Sequence, residues 1–452
     1  MITRIYIDGF KSFRNFEMEF TPFTVVAGLN ASGKSNLFDA FELLSRLASK
    51  DLREAFPERR GSVRELFTLV EGDTYLDKMT FEVDVLVAKK VKDKWGQEAD
   101  IKSPRLRYEL AIERRTDAHG FEELFVSHEK LAKIPTAEDN WAKLNVPKED
   151  AHLWKSTQAG GSSKPFVETI EKEGGAIIYL RQDGGKEGRL MVADAIKQTV
   201  LGGENSADFP HVFAMKEEMR GWRFMQLSPE ELRKPTAQDP KMSYHITHSG
   251  ANLASALYRI AHEDPSVLDD ISIQLMRFLP EYTQVSVFND EPNKQFIVKL
   301  KHSDGKEFTS RVLSEGTLRI LTLVILKFDP EHKGVLCFEE PENGMHPLRI
   351  KQMATLLHDL SGDFEDPAAP LRQVIVNTHS PLLVEEMQQG YENASVWLSK
   401  MSTLLTDYKG KRVRFSCTTM NRVDQNGPYT IGPGEKFSLA DLKAYLSCIH
   451  QP

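Results

Sequence analysis

Residues 28–35 read Gly28-Leu29-Asn30-Ala31-Ser32-Gly33-Lys34-Ser35, with Asn36 next. They fit the pattern G-x-x-x-x-G-K-[ST], in which glycines let backbone N–H groups wrap phosphate oxygens at the start of a helix. In that chemistry Lys34 holds the β and γ phosphates of a nucleotide, and Ser35 places its hydroxyl on Mg²⁺. A second block, Val335-Leu336-Cys337-Phe338, is apolar and ends in Glu339-Glu340. A buried strand that carries two acids to its C-terminal edge presents metal and water ligands beside a phosphate loop. Glu339 would then hold Mg²⁺ through water, and Glu340 would orient or deprotonate an attacking water; taken alone, the acidic pair also fits a solvated loop. A third block, Leu313-Ser314-Glu315-Gly316, opens a helical stretch, where the Ser314 hydroxyl and the Gly316 N–H can serve a second anion. The fourth is His379, at the end of the apolar run in VIVNTHSP.

These blocks need elements to hold them. FTVVAGLN runs as a strand into the first block, and SNLFDAFELLSRLAS follows with apolar residues at Leu37, Phe38, Phe41, Leu44 and Leu47, a helical period. Strand, loop and helix in that order are what a phosphate loop requires. Two earlier strands, ITRIYIDGF and NFEMEF, form a hairpin. Towards the C-terminus, VSVFND and FIVKLKH read as strands, LSEGTLRILTLVILKF as a helix, GVLCFEE as a buried strand, LRIKQMATLLHDL as a helix and RQVIVNTHS as another buried strand. Continuous apolar strands alternating with helices indicate a parallel sheet covered on both faces.

Between these parts the pattern changes. MTFEVDVLV, RLRYELAIERR with ELFVSHEKL, and AIIYLRQ with RLMVA are strands punctuated by turns, an antiparallel region. The fold class expected is α/β: a core of mixed or parallel sheet from residues 1–50 and 285–400, an antiparallel β-rich insertion at 51–243 with a mobile loop near 138–163, a helical lobe at 244–284, and a C-terminal extension at 401–452.

The chain has 452 residues, 40% of them hydrophobic, a formal net charge of -8 and three cysteines, Cys337, Cys417 and Cys448. The length suffices for one large or two to three ordinary domains. The cysteines are too few and too scattered for a disulfide framework or a zinc site. With no apolar run of membrane-spanning length, and charged residues where a signal peptide would be apolar, the expected location is the cytoplasm, with no membrane partner. The negative balance argues against nucleic acid over the whole surface but leaves a local basic groove open. The basic clusters Lys89, Lys90, Lys92, Lys94 and Lys409, Lys411, Arg412, Arg414 each fit a solvated face.

Taken together, GLNASGKSN, LSEG, VLCFEEPEN and VIVNTHSP resemble, in order and spacing, the phosphate loop, signature, Walker B with D-loop, and switch histidine of ABC-type ATPases, in particular their SMC, RecF and OLD-like branch. WRFMQLSPEELRKP and GANLASALYRI resemble predicted AAA-family ATPases of the same branch. The resemblance implies an ABC ATPase head that binds and hydrolyses ATP with Mg²⁺. It implies a head-to-tail sandwich in which Ser314, Glu315 and Gly316 of one subunit act on the nucleotide of another, so that the chain forms a homo-oligomer, at least a dimer. His379 would contact the γ-phosphate, and the loop 341–346, Asn343 first, would cross the dimer. Two features depart from the pattern: the metal acid is Glu339 where most ABC proteins carry Asp, and the glutamine that joins the lobes is one of Gln97, Gln182 and Gln226. Arg14 is a candidate phosphate contact or a solvated charge.

The chain lacks the long heptad arms of a full SMC protein, and the residues after His379 contain no D-x-D pair for a TOPRIM nuclease. The resemblance therefore suggests a switch that controls a separate effector, such as a nuclease, in bacterial anti-phage defence. A RecF-like repair or recombination clamp that binds DNA directly, and an ATP-binding scaffold with little turnover, remain alternatives.

Overall fold

The computed structural model describes residues 1–56, 62–116, 119–150, 154–156, 164–173, 175–182, 187–192, 197–239, 244–362, 364, 370–388, 391 and 393–423. Part of the loop expected near 138–163, most of the C-terminal extension and Cys448 lie outside the described residues.

The site rests on a six-stranded sheet, whose strands are β1 (Phe23–Gly28), β2 (Arg223–Met225), β3 (Gly334–Glu339), β4 (Arg372–Thr378), β5 (Ala394–Tyr408) and β6 (Lys411–Val423). Their order is β2-β3-β4-β1-β5-β6. The first five run parallel, and β6 returns antiparallel to β5. Alternate residues face opposite sides of a strand, and here both sides are apolar. Val26, Val335, Cys337, Ile375 and Trp397 join one buried cluster, whereas Val25, Ala27, Leu336, Phe338, Val374 and Val376 join another. Burial of both faces explains why these strands read as continuous apolar runs.

Helix α1 (Lys34–Leu47) covers the first face, with Leu37, Phe38, Phe41, Leu44 and Leu47 all buried. On the second face lies α2 (Glu315–Phe328), which buries every residue from Thr317 to Leu326. A helix buried on every side is enclosed by protein, and its one buried charge, Arg319, is met by Glu315 and the Leu227 carbonyl. Truncation of Leu321 to Ala there would cost roughly 2–5 kcal/mol through lost contacts and the cavity left behind.

Beside this core stands an eight-stranded antiparallel sheet built from Ile2–Asp8, Phe16–Glu19, Lys78–Leu86, Arg105–Thr116, Glu122–Lys133, Val167–Lys172, Gly175–Arg181 and Glu187–Val192. The hairpins read from the sequence are present, including the long pair Arg105–Thr116 with Glu122–Lys133. Gln373 of β4 stitches the two sheets together: its Oε1 accepts from the Ile2 N–H at 2.8 Å, and its Nε2 donates to the Ile2 and Thr21 carbonyls at 2.7 and 3.0 Å.

Four placements differ from the sequence expectation. The strand Arg223–Met225, inside the expected insertion at 51–243, is β2 of the six-stranded core sheet. The strands Ile2–Asp8 and Phe16–Glu19 belong to the antiparallel sheet, so residues 1–50 are shared between both sheets. The strands Tyr282–Asp290 and Gln295–His302 form a separate small sheet with Thr236–Ala237 and Glu307–Thr309, packed against the helices Leu253–Glu263 and Val267–Phe278. Residue 400, the expected end of the core, falls within β5, whose first half pairs with β1 and whose second half continues into a hairpin with β6. Among the described residues no helix is long and apolar enough to cross a membrane.

Candidate functional site

The carboxyl edge of the parallel sheet gathers Gly28, Met225, Glu339 and Thr378, the last residues of β1, β2, β3 and β4. In open parallel sheets this edge is where ligands bind. The loop after β1 turns through Ala31 at φ 61° and Gly33 at φ 93° before α1 begins. Gly33 has a steric reason to be glycine, because a Cβ there would lie 1.8 Å from Oγ1 of Thr418 on β6. At Gly28 a Cβ would come within 2.6 Å of the Ser399 carbonyl oxygen of β5. The hairpin β5–β6 is thus a wall of the loop. The Ser399 hydroxyl donates to the Ser32 carbonyl at 2.9 Å, Thr418 Oγ1 lies 2.7 Å from Ser12 Oγ, and Asn36 Nδ2 donates to Ser12 Oγ at 2.7 Å. Asn30 and Ala31 are partly or fully exposed at the loop's outer rim, while the Ser32 hydroxyl is buried without a partner.

Lys34 is buried, and its ammonium donates to the Gly28 and Leu29 carbonyls, each at 2.8 Å. Burial lowers its pKa, an effect that Glu340, Glu342 and Glu339 oppose. The Ser35 hydroxyl donates to Glu339 Oε1 at 2.6 Å, and Asn377 Nδ2 lies 3.4 Å from the same oxygen. Next along, Glu340 takes a left-handed φ of 46°, unusual for a residue with a side chain. Its N–H is held by the Asn377 carbonyl at 3.0 Å. Its two carboxylate oxygens meet His379 Nδ1 at 3.1 Å and Asn343 Nδ2 at 2.7 Å. Glu342, bonded to the Thr378 hydroxyl, is buried deeply enough that its pKa is raised.

A cleft of about 500 Å³ opens beside this group, with Ser35, Glu339, Gln226 and His248 in its wall. It separates the three glutamine candidates. Gln226 follows β2 and is fixed by a hydrogen bond from its N–H to the His248 carbonyl at 2.8 Å. Gln97 instead donates its backbone N–H to Asp93 Oδ1 at 3.0 Å in a turn, and Gln182 is exposed at the end of a strand in the antiparallel sheet. Arg14 is turned away to Asp8 at 2.9 Å and stacks over Phe415. In the basic clusters, Lys92 pairs with Glu98 and Lys409 with Asp77.

Residues 314–316 stand apart from this group. Ser314 caps α2, its hydroxyl accepting from the Thr317 N–H at 3.2 Å. Glu315 pairs with Arg319 at 2.8 Å and packs on Gly344, where a Cβ would lie 2.3 Å from the Glu315 carboxyl carbon. Gly316 faces Met345. Among the described residues no hydrogen bond or ion pair joins these three to residues 28–36.

Two family models match the chain. One, described as "AAA ATPase domain", takes in residues 1–158 and with them the loop after β1. The other, described as "AAA domain, putative AbiEii toxin, Type IV TA system", takes in residues 209–385 and with them Gln226, 313–316, 335–340 and His379. Over residues 1–158 and 209–385 the chain is thus similar to AAA-family ATPase domains. Among solved structures the chain is similar to an SMC head bound to the C-terminal winged-helix domain of ScpA, with 12% identity, 93% of this chain and 97% of that chain covered, and a TM-score of 0.45. It is also similar to the SMC head domain from Thermotoga maritima, at 12% identity, 94% and 99% coverage and a TM-score of 0.37. A third likeness is to the Smc head of Pyrococcus furiosus with an extended coiled coil, at 10% identity, 93% and 96% coverage and a TM-score of 0.46. Among curated proteins none matches the chain.

Sequence reasoning missed Ser12, Ser399 and Thr418 beside the loop after β1 and Asn377 beside Glu339 and Glu340. Asn377 precedes the histidine by two residues and had a signal in the motif itself. The others had none, since a lone Ser or Thr on a distant strand looks like any other.

Proposed function

We propose that the chain binds and hydrolyses ATP with Mg²⁺, and that ATP closes two copies head to tail into a homodimer or larger assembly that hydrolysis reopens. The observation that carries this reading is the pairing of Ser35 with Glu339 at 2.6 Å, beside Glu340 held by His379 and Asn343. These residues fit a magnesium ion: a hydroxyl and one carboxylate are the protein's usual share, the remaining ligands being phosphate oxygens and water. Bound there, the ion would offset the charge of the phosphates. Lys34 would exchange the Gly28 and Leu29 carbonyls for phosphate oxygens, and the unpaired Ser32 hydroxyl supplies a further donor. Glu340 would take the proton of a water whose oxygen bonds to the γ-phosphorus as the bond to the bridging oxygen breaks and ADP leaves. His379, on the same carboxylate, would register the departure of the γ-phosphate.

The separation of residues 314–316 from the loop supports their action in trans. Their contacts to Gly344 and Met345 tie them to the loop 341–346, which would lie at the same dimer face. Gln226 is the glutamine we assign to the metal side of the site. The six-stranded sheet and the helices on it would then act as a motor, with the eight-stranded antiparallel sheet and the small sheet with its helices as attached reporting surfaces. The toxin named in the description of the family model over residues 209–385 supports a role in bacterial conflict, and we read the ATPase as the controlling half of an anti-phage pair whose effector is a separate protein.

Solution mass with and without ATP and Mg²⁺ tests the switch. Wild type should gain mass with ATP, Glu340→Gln should hold the larger form longer, and Ser314→Arg should stay small. A mass indifferent to ATP in all three would overturn the sandwich.

A further inference from the structure

Glu340, to which the attacking water is assigned, stands in a backbone conformation that its own sequence opposes. Its φ of 46° is left-handed, and Pro341 follows, a neighbour that drives the preceding residue towards extended backbone. Such an outlier persists only where the surroundings hold it. On its near side the hold comes from β4, where the Asn377 carbonyl takes the Glu340 N–H at 3.0 Å. Within the turn, the Asn343 N–H donates to the Glu340 carbonyl at 3.2 Å, and the Met345 N–H to that of Glu342 at 2.9 Å. The far side of the turn is tied back to the same strand by a side chain, Glu342, which meets the hydroxyl of Thr378.

The direction of that contact is fixed. The Ser380 N–H donates to Thr378 Oγ1 at 2.9 Å, and a hydroxyl has one proton, so Thr378 gives its proton to Glu342 Oε1. Both residues are buried, and the other Glu342 oxygen has no hydrogen-bond partner among the described residues. Burial raises the pKa of this carboxyl and so disfavours a second charged base beside Glu340; what the contact requires of Glu342 is an acceptor. Thr378 also stands between Asn377, whose amide reaches Glu339, and His379, whose ring meets Glu340. One hydrogen bond therefore joins the turn to the strand end that carries both of those contacts.

We infer that Glu342 is a positioning residue for hydrolysis, an inference that rests on the reading of Glu340 as the base. By accepting from Thr378, Glu342 holds the turn 340–343 on the end of β4 and keeps the Glu340 carboxylate on His379. Without that bond the turn relaxes towards the extended backbone that Pro341 favours, and the carboxylate leaves the water. The loop 28–35 is a separate element, so the loss falls on turnover and not on nucleotide affinity.

The test is steady-state phosphate release beside ATP affinity, measured on the full chain. Glu342→Ala and Thr378→Val should each lower kcat about ten- to a hundredfold, the scale on which a misplaced catalytic group costs rate, with affinity little changed. The double variant should be no slower than the slower single, since both changes break one bond. Glu342→Gln keeps an acceptor oxygen at full reach and should recover most of the turnover. Glu342→Asp keeps the charge, falls short by a methylene and should not. In Glu340→Gln, which already lacks the base, Glu342→Ala should cost nothing further, whereas a merely weakened fold would lower activity in that background too. Thr378→Val carries the same test should Glu342→Ala fail to fold. The inference is overturned if Glu342→Ala and Thr378→Val turn over as wild type does, if Asp restores activity and Gln does not, or if the two losses add. A wild type that hydrolyses no ATP would instead remove the reading of Glu340, and this inference with it.

Discussion

Replacing Glu340 with Gln tests the assignment of the base most sharply, because the structure predicts which of its contacts survive. The amide has the same shape as the carboxylate, and its oxygen can still accept from Asn343 Nδ2, 2.7 Å away. The contact to His379 Nδ1 at 3.1 Å weakens, since the amide places an N–H₂ there or presents a neutral oxygen. Nucleotide affinity should therefore change by less than about tenfold, or 1.4 kcal/mol. Turnover should fall far more. General base catalysis contributes about 10²–10⁴-fold, equivalent to roughly 2.7–5.4 kcal/mol of barrier. The assay is steady-state phosphate release at saturating ATP beside nucleotide binding by equilibrium fluorescence, in wild type, Glu340→Gln and His379→Ala. Loss of turnover with retained affinity is the expected result. A Glu340→Gln variant that hydrolyses ATP within tenfold of wild type would refute the role given to this carboxylate, whatever its affinity.

Gly33→Ala should lower the melting temperature and weaken nucleotide binding at least about tenfold, because a left-handed backbone costs an alanine about 1–2 kcal/mol before any clash with Thr418. Adding Thr418→Gly should recover the part due to the clash and leave the backbone part; a double variant no better than the single would show that Thr418 is not the wall we describe. A third prediction concerns acid. His332 is buried with both ring nitrogens unpartnered, and burial beside Arg372 and Arg223 lowers its pKa to about 3. The unfolded chain takes up this proton near pH 6.5 and the folded one does not, so stability is full above about pH 6.5 and falls as pH drops towards 3. Urea midpoints at pH 7, 5.5 and 4 should fall less steeply in His332→Phe, by up to about 1.4 kcal/mol per pH unit; equal slopes would refute this account.

The site was legible in the sequence where its chemistry is local. Residues 28–36 announce themselves because strand, glycine turn and helix are contiguous, and Glu339, Glu340 and His379 because each ends an apolar run long enough to read. Gln226, the glutamine we propose for the site, could not be singled out among three, since β2 is only three residues long, too short to show a period. The strands Tyr282–Asp290 and Gln295–His302 looked like members of the core sheet because β-patterning reports a strand but not its partners. For the hairpin β5–β6, the obstacle was distance along the chain. Nothing near Thr418 states that it will face Gly33, and the signal at that contact is the absence of a side chain on the other partner.

The position of β1 inside the sheet bears on how the protein is made. Its neighbours are β4 at residues 372–378 and β5 at residues 394–408, so the strand that leads into the loop 28–35 leaves the ribosome long before either edge is available to it. During synthesis this apolar segment must be shielded by other means, and a chain stopped before residue 372 would carry the loop without its supporting strands. Pairings of such long range form slowly and leave sticky intermediates. Nascent chains should therefore depend on chaperones until nearly the whole polypeptide has emerged, and competence to bind nucleotide should arrive as a single late event.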